Sequence, residues 1–443
     1  MRKAIHFLVL LLVLGLAACS VPPAADESPT PDFSAGGISG PAVATCTAIS
    51  QAAARPDNPL TEAQPGDWSI GPEDAYATII EYADFQCPYC ASLAPILAQL
   101  QQEHPEDVRF VYRHFPLIGT PEEPLNPKAA LAMQAAEAAG RQGMFWEMHD
   151  VLYGRYTQWA TQEAALTEEA FLLWLGDSAA ELGLDRAQFE ADLTSPELAA
   201  EAQAAWDQGV ALGLPNSPFV VINGQSLNLG EQMDILLEQN FGNTQSGFTS
   251  VQVSAFFYII LDYTLELTLL EPRQFQECPP LVADPAGTYI ATIQTEQGDI
   301  VIRLFPDVAP FTVSSFIFLA DRGWFDDITF HRVLPGFVAQ AGDPSGTGAG
   351  SPGYYFGLEA DPNLLFDRPG LVAMAHQANA PDTNGSQFFI TTAPAENLNG
   401  DYTIFGEVIE GMDIVLNLTP RDPSANPGAP PGDTILTITV AGP

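Results

Sequence analysis

Residues 330–343 have an apolar run on each side of a Pro-Gly pair, and this pattern predicts a β-hairpin. Proline fixes φ at one turn position, and glycine accepts a positive φ at the next. A strict register puts Arg332 and Phe337 on one face and Gln340 on the other. If these three residues act together, the hairpin must therefore contain a bulge or a wider loop. Charges rarely lie among aromatic side chains without a task, which makes Arg332 a functional candidate. An arginine stem covering a core strand is the alternative.

Other patterned segments surround this hairpin. Residues 295–305 predict a turn and a strand, and residues 308–320 predict a helix. Residues 383–390 predict a turn followed by an apolar strand. Residues 398–406 contain the last of the patterned segments. In this order, from about residue 288 to the C-terminus, the segments resemble the cyclophilins, which are peptidyl-prolyl isomerases built on a closed eight-stranded barrel.

The resemblance implies a site for rotation about Xaa-Pro bonds. This rotation crosses a barrier of ~18–20 kcal/mol and needs no nucleophile. By resemblance, Arg332 donates to the lone pair that the twisted nitrogen regains. The catalytic candidates implied by the family pattern are Arg332, Phe337 and Gln340, and the substrate-binding candidates are Val338, Gln387, Phe389, Leu398 and Tyr402. Val338 stands where the family usually has methionine, and Tyr402 stands where it has histidine.

A second patterned unit begins near residue 67. Residues 78–85 predict a strand, Cys87 and Cys90 open a helical pattern, and residues 108–112 predict the next strand. This order is typical of thioredoxin-like proteins. Half of a zinc site is the alternative, but no second Cys-x-x-Cys occurs and the histidines lack ligand spacing, so we expect no metal. Because N–H groups at a helix N-terminus stabilise a thiolate, we expect Cys87 to be the exposed attacking sulfur and Cys90 the buried resolving partner.

Alanine-rich helical sequence fills residues 126–212, and a Ser-Pro pair then precedes an apolar strand. Helical sequence inserted into a thioredoxin-like fold resembles the DsbA type of thiol oxidases and isomerases. The resemblance places Ser217 where that family has threonine and Pro218 at its cis-proline, beside the Cys-x-x-Cys. Apolar residues 250–270 predict a helix that closes this domain.

The N-terminal residues combine a charged start, a short apolar run and small residues before Cys19. Residues 1–19 resemble a bacterial lipoprotein signal, which implies cleavage before Cys19 and a lipid on its thiol. An ordinary signal peptide with a chance cysteine is the alternative. Either one places the chain outside the cytoplasm, where disulfides persist. Residues 20–66 are rich in Pro, Ala, Gly and Ser and predict a poorly ordered tether.

The expected domains are a thioredoxin-like α/β domain with a helical insertion over 67–272 and a mainly-β cyclophilin-like domain over 287–443, joined by a proline-rich linker at 273–286. Cys46 and Cys278 lie outside the lipid and redox assignments. An exposed free thiol beside a reactive disulfide invites mixed disulfides, so we predict a structural disulfide between these two. Free or intermolecular thiols are the alternative.

The composition limits the partners. A chain of 443 residues with 47% apolar residues has room for two cores, and its formal net charge of −40 disfavours nucleic acid and anionic headgroups. The charge favours neutral or cationic clients, or it simply keeps the protein soluble. We expect no cofactor. The expected partners are unfolded extracytoplasmic proteins with Xaa-Pro bonds and cysteines, a thiol-recycling protein, and a membrane contacted through the N-terminal lipid.

Three functions fit these patterns. The favoured one is a lipid-anchored folding catalyst that combines prolyl isomerisation with thiol–disulfide exchange. A holdase that binds proline segments without turnover is the second. An isomerase whose thioredoxin-like domain serves only for docking is the third, and the retained cysteine pair argues against it.

Overall fold

The structure is a computed structural model that describes residues 43–49, 60, 62–120, 122–161, 166–227, 229, 250–423, 425–426 and 429–443. The chain forms two compact units. The inserted unit comprises Ala54–Thr268, and the split unit comprises Met1–Ala53 together with Leu269–Pro443. The predicted signal at residues 1–19, including Cys19, lies outside the described residues.

The strands, in chain order, are β1 (Cys46–Ala48), β2 (Trp68–Ile70), β3 (Ala77–Ala83), β4 (Val108–His114), β5 (Phe219–Ile222), β6 (Gln225–Leu227), β7 (Ile290–Thr295), β8 (Gly298–Leu304), β9 (Ile328–Thr329), β10 (Arg332–Leu334), β11 (Val338–Ala341), β12 (Tyr354–Phe356), β13 (Leu371–Met374), β14 (Phe388–Thr391), β15 (Ile404–Glu410) and β16 (Thr434–Ala441). The α-helices are α1 (Pro88–Glu103), α2 (Ala129–Gly140), α3 (Phe145–Gly154), α4 (Tyr156–Trp159), α5 (Glu168–Glu181), α6 (Arg186–Leu193), α7 (Pro196–Ala211), α8 (Ser250–Leu270), α9 (Pro310–Ala320) and α10 (Met412–Asn417). Among the described residues, Glu271–Arg273 and Glu396–Leu398 form 3-10 turns.

The inserted unit is built on a five-stranded sheet of order β2-β4-β3-β5-β6, in which β3 and β4 are parallel. Helix α1 follows β3 directly and begins with Pro88, whose fixed φ suits the first helical position. Helices α2–α7 fill the interval between β4 and β5, as the alanine-rich sequence predicted. Thr167, Asp185 and Ser195 cap α5, α6 and α7 by accepting bonds from backbone N–H groups.

The apolar helix predicted at residues 250–270 is present as α8. With the turn after it, Val253–Arg273 is long and apolar enough to cross a membrane by length and composition. Core helices of soluble proteins pass the same test, and Phe257, Leu261 and Leu265 of α8 are buried.

The large sheet of the split unit has nine strands in the order β10-β11-β14-β13-β15-β8-β7-β16-β9. The expectation of a closed eight-stranded barrel was wrong, because this sheet is a half-barrel with edges at β9 and β10. Backbone groups near these edges pair instead with the C-terminal loop. Val333 and Arg421 exchange N–H···O bonds of 2.7 and 2.9 Å, and the Phe330 N–H donates to the Asp433 carbonyl at 3.0 Å.

Alternation along the strands gives this sheet two apolar faces. The inner cluster packs one face against α9 and includes Val333, Ala339, Val372, Phe388 and Phe405. The outer cluster on the opposite face consists of Val338, Phe366, Leu371, Ala373, Phe389, Ala395, Leu398 and Ile404.

Two segments that the sequence assigned to connections belong to the split unit. Within the predicted tether at 20–66, β1 pairs antiparallel with β12. Within the predicted linker at 273–286, the Phe275 N–H donates to the Pro352 carbonyl at 2.8 Å, and the Ala283 N–H donates to Ser314 Oγ at 3.0 Å. Composition alone does not reveal these contacts, because their partners are distant in sequence.

Candidate active sites

The register of four neighbouring strands aligns three predicted isomerase residues in one row. Arg332 of β10 is opposite Gln340 of β11, Gln340 is opposite Phe389 of β14, and Phe389 is opposite Ala373 of β13. Side chains opposite each other on paired strands point to the same face. This row therefore lies on the face of the sheet that carries the outer cluster.

The hairpin connection explains why Arg332 and Gln340 share a face. Leu334 pairs with Val338, so three residues form the connection instead of the two that the Pro-Gly pair suggested. The wider loop that joint action of Arg332, Phe337 and Gln340 requires is therefore present. Phe337 lies in this loop and packs against the outer cluster.

The outer cluster forms an apolar floor beside Arg332. Val338 and Phe389 are 3% and 4% exposed, and Leu398 is 9% exposed. Phe389 packs against Phe366 at 5.9 Å between ring centroids and meets the Tyr402 edge at 5.5 Å. The predicted residues Phe337, Val338, Phe389, Leu398 and Tyr402 thus meet here. Phe366 was missed, because nothing local in the sequence separates it from an ordinary core residue.

Two glutamines connect the row to a glycine-rich loop. Gln340 Nε2 donates to Gln387 Oε1 at 2.9 Å. Gln387 Nε2 in turn donates to the carbonyls of Gly348 and Gly350 at 3.0 and 3.1 Å. Arg332 is half-buried and makes no ion pair within the described part of the chain, so its guanidinium is free to bind a ligand.

Two buried polar residues lie directly behind this loop. Asp343 accepts bonds from the N–H groups of Ser345, Gly348 and Gly350, which fixes the loop. His331 is 2% exposed, and burial lowers its pKa to about 4. A neutral imidazole next to Arg332 avoids a second buried positive charge.

The cysteine pair lies at the N-terminus of α1. Cys87 is the N-cap residue with an extended backbone, and its Sγ donates to the Ser217 carbonyl at 3.2 Å. Cys90 Sγ lies 2.9 Å from Ser217 Oγ. The Ser217–Pro218 bond is cis. The predicted members of this site are therefore together.

Cys87 differs from the prediction in its exposure. It was expected to be exposed, but it is only 4% exposed, and Cys90 is fully buried. The Ser217 carbonyl closes over Cys87 Sγ, which explains the difference. Burial raises the pKa of the Cys90 thiol well above its usual range.

Glu81 is a functional candidate that the sequence analysis missed. It lies in the middle of β3 and is fully buried, and its carboxyl oxygens have no hydrogen-bond partner among the described residues. Burial, and secondarily the charge of Cys87, raise its pKa well above the ordinary value of 4.5. One glutamate in an otherwise apolar central strand was the available signal.

The remaining cysteines are joined, since Cys46 and Cys278 form a disulfide bond. Both belong to the split unit. No cluster of three or more His, Cys, Asp or Glu residues able to hold a metal ion occurs in the described ranges.

Comparison with known proteins identifies two domains in the chain. A family model described as cyclophilin type peptidyl-prolyl cis-trans isomerase/CLD matches residues 290–440, and one described as thioredoxin matches residues 63–238. The chain belongs to the cyclophilin-type peptidyl-prolyl cis-trans isomerase family. Residues 63–238 form a thioredoxin-like domain.

Individual relatives match the cyclophilin part. A probable peptidyl-prolyl cis-trans isomerase A of Mycobacterium bovis is 45% identical over 149 residues, covering 30% of this chain and 81% of the relative. Peptidyl-prolyl cis-trans isomerase B of Bacillus subtilis is 46% identical over 123 residues, covering 28% and 85%. The crystal structure of a Cryptosporidium parvum cyclophilin type peptidyl-prolyl cis-trans isomerase is 36% identical, with a TM-score of 0.32, and covers 35% of this chain and 98% of that one.

Proposed function

We propose that the split unit catalyses cis–trans isomerisation of Xaa-Pro bonds. The observation that carries this proposal is the row of Arg332, Gln340 and Phe389 above the outer cluster. It sets a cation that makes no ion pair with any described residue beside an apolar floor of the kind that a proline ring fits. The family relationship supports the same activity.

The geometry suggests how the site lowers the barrier to rotation about the Xaa-Pro bond. The proline ring packs on Phe389, Val338 and Leu398, while Gln340 and Gln387 orient the peptide. Arg332 donates to the amide nitrogen as it loses conjugation, which is an interaction stronger in the twisted state than in either planar one. No bond to the protein forms, and no cofactor takes part.

Turnover of a short Xaa-Pro peptide tests this proposal. Arg332→Ala should lower kcat/KM about hundredfold, since loss of one preorganised donor costs ~3 kcal/mol. Arg322→Ala removes an exposed arginine outside the row and is the matched control. Peptide binding without turnover by the wild type would favour the holdase function instead.

We also propose that the inserted unit exchanges thiols and disulfides as a DsbA-type domain. The helix N-terminus beneath Cys87, and Ser217 against both sulfurs, support this proposal. In the reducing direction, the Cys87 thiolate attacks a client disulfide and releases one client thiolate, which takes a proton. Cys90 then attacks Cys87 Sγ, and its proton passes to the second client sulfur. The second client thiol leaves, and the Cys87–Cys90 disulfide holds the oxidised pair; the reverse steps oxidise a client.

The reduction potential of this pair and disulfide exchange with a cysteine-containing peptide test the second activity. Cys87→Ser should abolish exchange, and Cys90→Ser should trap mixed disulfides. An unreactive wild-type pair would favour the docking function of this domain.

The N-terminal pattern supports an extracytoplasmic, lipid-anchored protein whose clients are unfolded proteins with Xaa-Pro bonds and cysteines. A second protein would recycle the thiols. Incorporation of labelled fatty acid that Cys19→Ala abolishes would establish the anchor. Secretion of an unlabelled wild-type chain would instead support an ordinary signal peptide.

A further inference from the structure

Strand β1 is a strap on the split unit, formed by Cys46, Thr47 and Ala48. These residues pair with Phe356, Tyr355 and Tyr354 of β12. The Ile49 N–H donates to the Gly353 carbonyl at 2.8 Å, and the Gly357 N–H donates to the Thr45 carbonyl at 3.1 Å, which extends the ladder at both ends. The disulfide to Cys278 fixes the strap across a sequence separation of 232 residues.

The strap is the only ladder partner of β12 in the part of the chain that the structure describes. The other side of β12 meets a loop through Phe356 and Asn384. Each of these residues donates its N–H to the carbonyl of the other, at 2.9 and 3.2 Å. Strand β12 thus lies between the strap and residues 375–387, which we call the rim loop.

The rim loop adjoins the proposed proline pocket. Its Ala375 N–H donates to the Gln387 carbonyl at 2.8 Å. His376 stacks on Tyr402 at 4.4 Å between ring centroids, and Tyr402 meets Phe389. Gln377 Nε2 reaches Tyr355 Oη at 3.5 Å. A continuous series of contacts therefore runs from the strap through β12 to residues that would touch the substrate.

We propose that the strap is a positioning element of the proline pocket, so that the thiol–disulfide state of Cys46 and Cys278 sets the affinity for proline peptides. This inference rests on the proposed isomerase function. A two-strand ladder of this length is marginal by itself, and the cross-link holds the strap in place. Without the bond, β12 loses its ladder partner, and the rim loop loses a fixed support.

A small dithiol suffices to open the cross-link. One of its thiolates attacks a sulfur of the Cys46–Cys278 bond and forms a mixed disulfide, and its second thiolate then displaces the protein sulfur. The dithiol leaves as a disulfide, and the two protein sulfurs take up protons as thiols. Cys46 and Cys278 are each half-buried, so neither residue is enclosed in the core.

The kinetic test uses the full chain and dithiothreitol as the reductant. Four samples give kcat and KM on a short Xaa-Pro peptide: oxidised wild type, reduced wild type, and Cys46→Ser/Cys278→Ser with and without dithiothreitol. We expect the last three to share a KM about fivefold above that of oxidised wild type, at the lower end of couplings between sites. The double variant retains Cys87 and Cys90, so its insensitivity to dithiothreitol excludes an effect through that pair. An equal KM in all four samples overturns the inference.

Hydrogen exchange gives a readout that does not need catalysis. We expect the amides of Ala375 and Asn384 to exchange faster after reduction, while those of Ile293 and Ile302 in the inner cluster stay protected. Thr47→Pro, which keeps the disulfide but removes a backbone donor from β1, should have the same effect. Exchange throughout the inner cluster would overturn the inference, since the strap would then hold the whole fold.

The two readouts separate the proposals. An oxidised wild type without turnover contradicts the isomerase function, even where exchange at the rim loop responds to reduction. Turnover together with an unresponsive rim loop contradicts the strap alone.

Discussion

Arg332 and Gln340 lie directly opposite each other on β10 and β11, with their side chains on the face of the outer cluster. Gln340 also contacts a third residue of the proposed site, because its Nε2 donates to Gln387 Oε1. Arg332, the proposed donor to the amide nitrogen, is therefore connected to both glutamines proposed to orient the peptide, by strand pairing to Gln340 and by the hydrogen bond from Gln340 to Gln387.

Gln387→Ala should weaken this link. It removes the acceptor for Gln340 and the bonds to Gly348 and Gly350. We expect kcat/KM on an Xaa-Pro peptide to fall about tenfold, equivalent to ~1.4 kcal/mol of hydrogen bonding. Gln297→Ala, at an exposed turn, should leave it unchanged. Gln340→Ala/Gln387→Ala should cost less than the sum of the single changes, and strict additivity would contradict the link.

Glu81→Gln should change how the stability of the inserted unit depends on pH. Because burial raises the pKa of Glu81 above 4.5, the folded state keeps a proton that the unfolded state releases. The stability that protonated Glu81 gives the folded state is therefore complete at pH values below the unfolded pKa. It declines by ~1.4 kcal/mol per pH unit as pH rises from the unfolded pKa to the folded pKa. The variant should gain on wild type at neutral pH and lose the advantage near pH 4.

Urea unfolding followed by tryptophan fluorescence measures this effect, since Trp324 is the one tryptophan of the split unit and the other five lie in the inserted unit. Glu106→Gln makes the same chemical change at an exposed position and is the control. A difference in stability that is constant from pH 4 to 8 would rule out a raised pKa.

Ser217→Ala should slow the step that Cys90 performs. Ser217 Oγ accepts the Asp84 N–H at 3.1 Å, which leaves its proton to donate to Cys90 Sγ. Loss of this bond should raise the pKa of Cys90 further and slow release of mixed disulfides about tenfold, since a bond to a charged group contributes ~1.5 kcal/mol. Quenched-flow trapping measures the rate. Ser217→Thr keeps the hydroxyl and should release at the wild-type rate; equal rates in Ser217→Ala would contradict the assignment.

Glu359→Ala should destabilise the split unit. This buried carboxylate accepts bonds from the N–H groups of Ala44, Phe311 and Thr312 and from Thr312 Oγ1, which joins the start of α9 to the segment before β1. Unsatisfied buried donors should cost about 3 kcal/mol. Urea-dependent hydrogen exchange of peptides from 290–440 measures the loss. Glu410→Ala, at an exposed strand end, is the control, and an equal effect there would contradict the role of Glu359.

The order of the patterned segments predicted the two kinds of domain. The family resemblance assigned Val338 and Phe389 to the pocket, and the structure places both in the outer cluster. A Pro-Gly pair fits a two-residue turn as well as the three-residue loop that occurs, so the pair alone left the hairpin register open. Glu81 escaped notice because a polar residue in a strand suggests a solvated face, whereas this sheet is covered there. The pairing of β1 could not be predicted from local sequence, because its partner β12 is distant along the chain.

The two strands β1 and β12 of the split unit are made at widely separated times during synthesis. Strand β1 emerges from the ribosome ahead of the whole inserted unit, and β12 follows about 300 residues later, which takes ~15–60 s at typical elongation rates. For most of that interval, until residue 278 is made, Cys46 coexists with Cys87 and Cys90 without its partner Cys278. Strand β1 is thus made early but pairs late, and the nascent chain contains the Cys87–Cys90 thiols before β1 can pair.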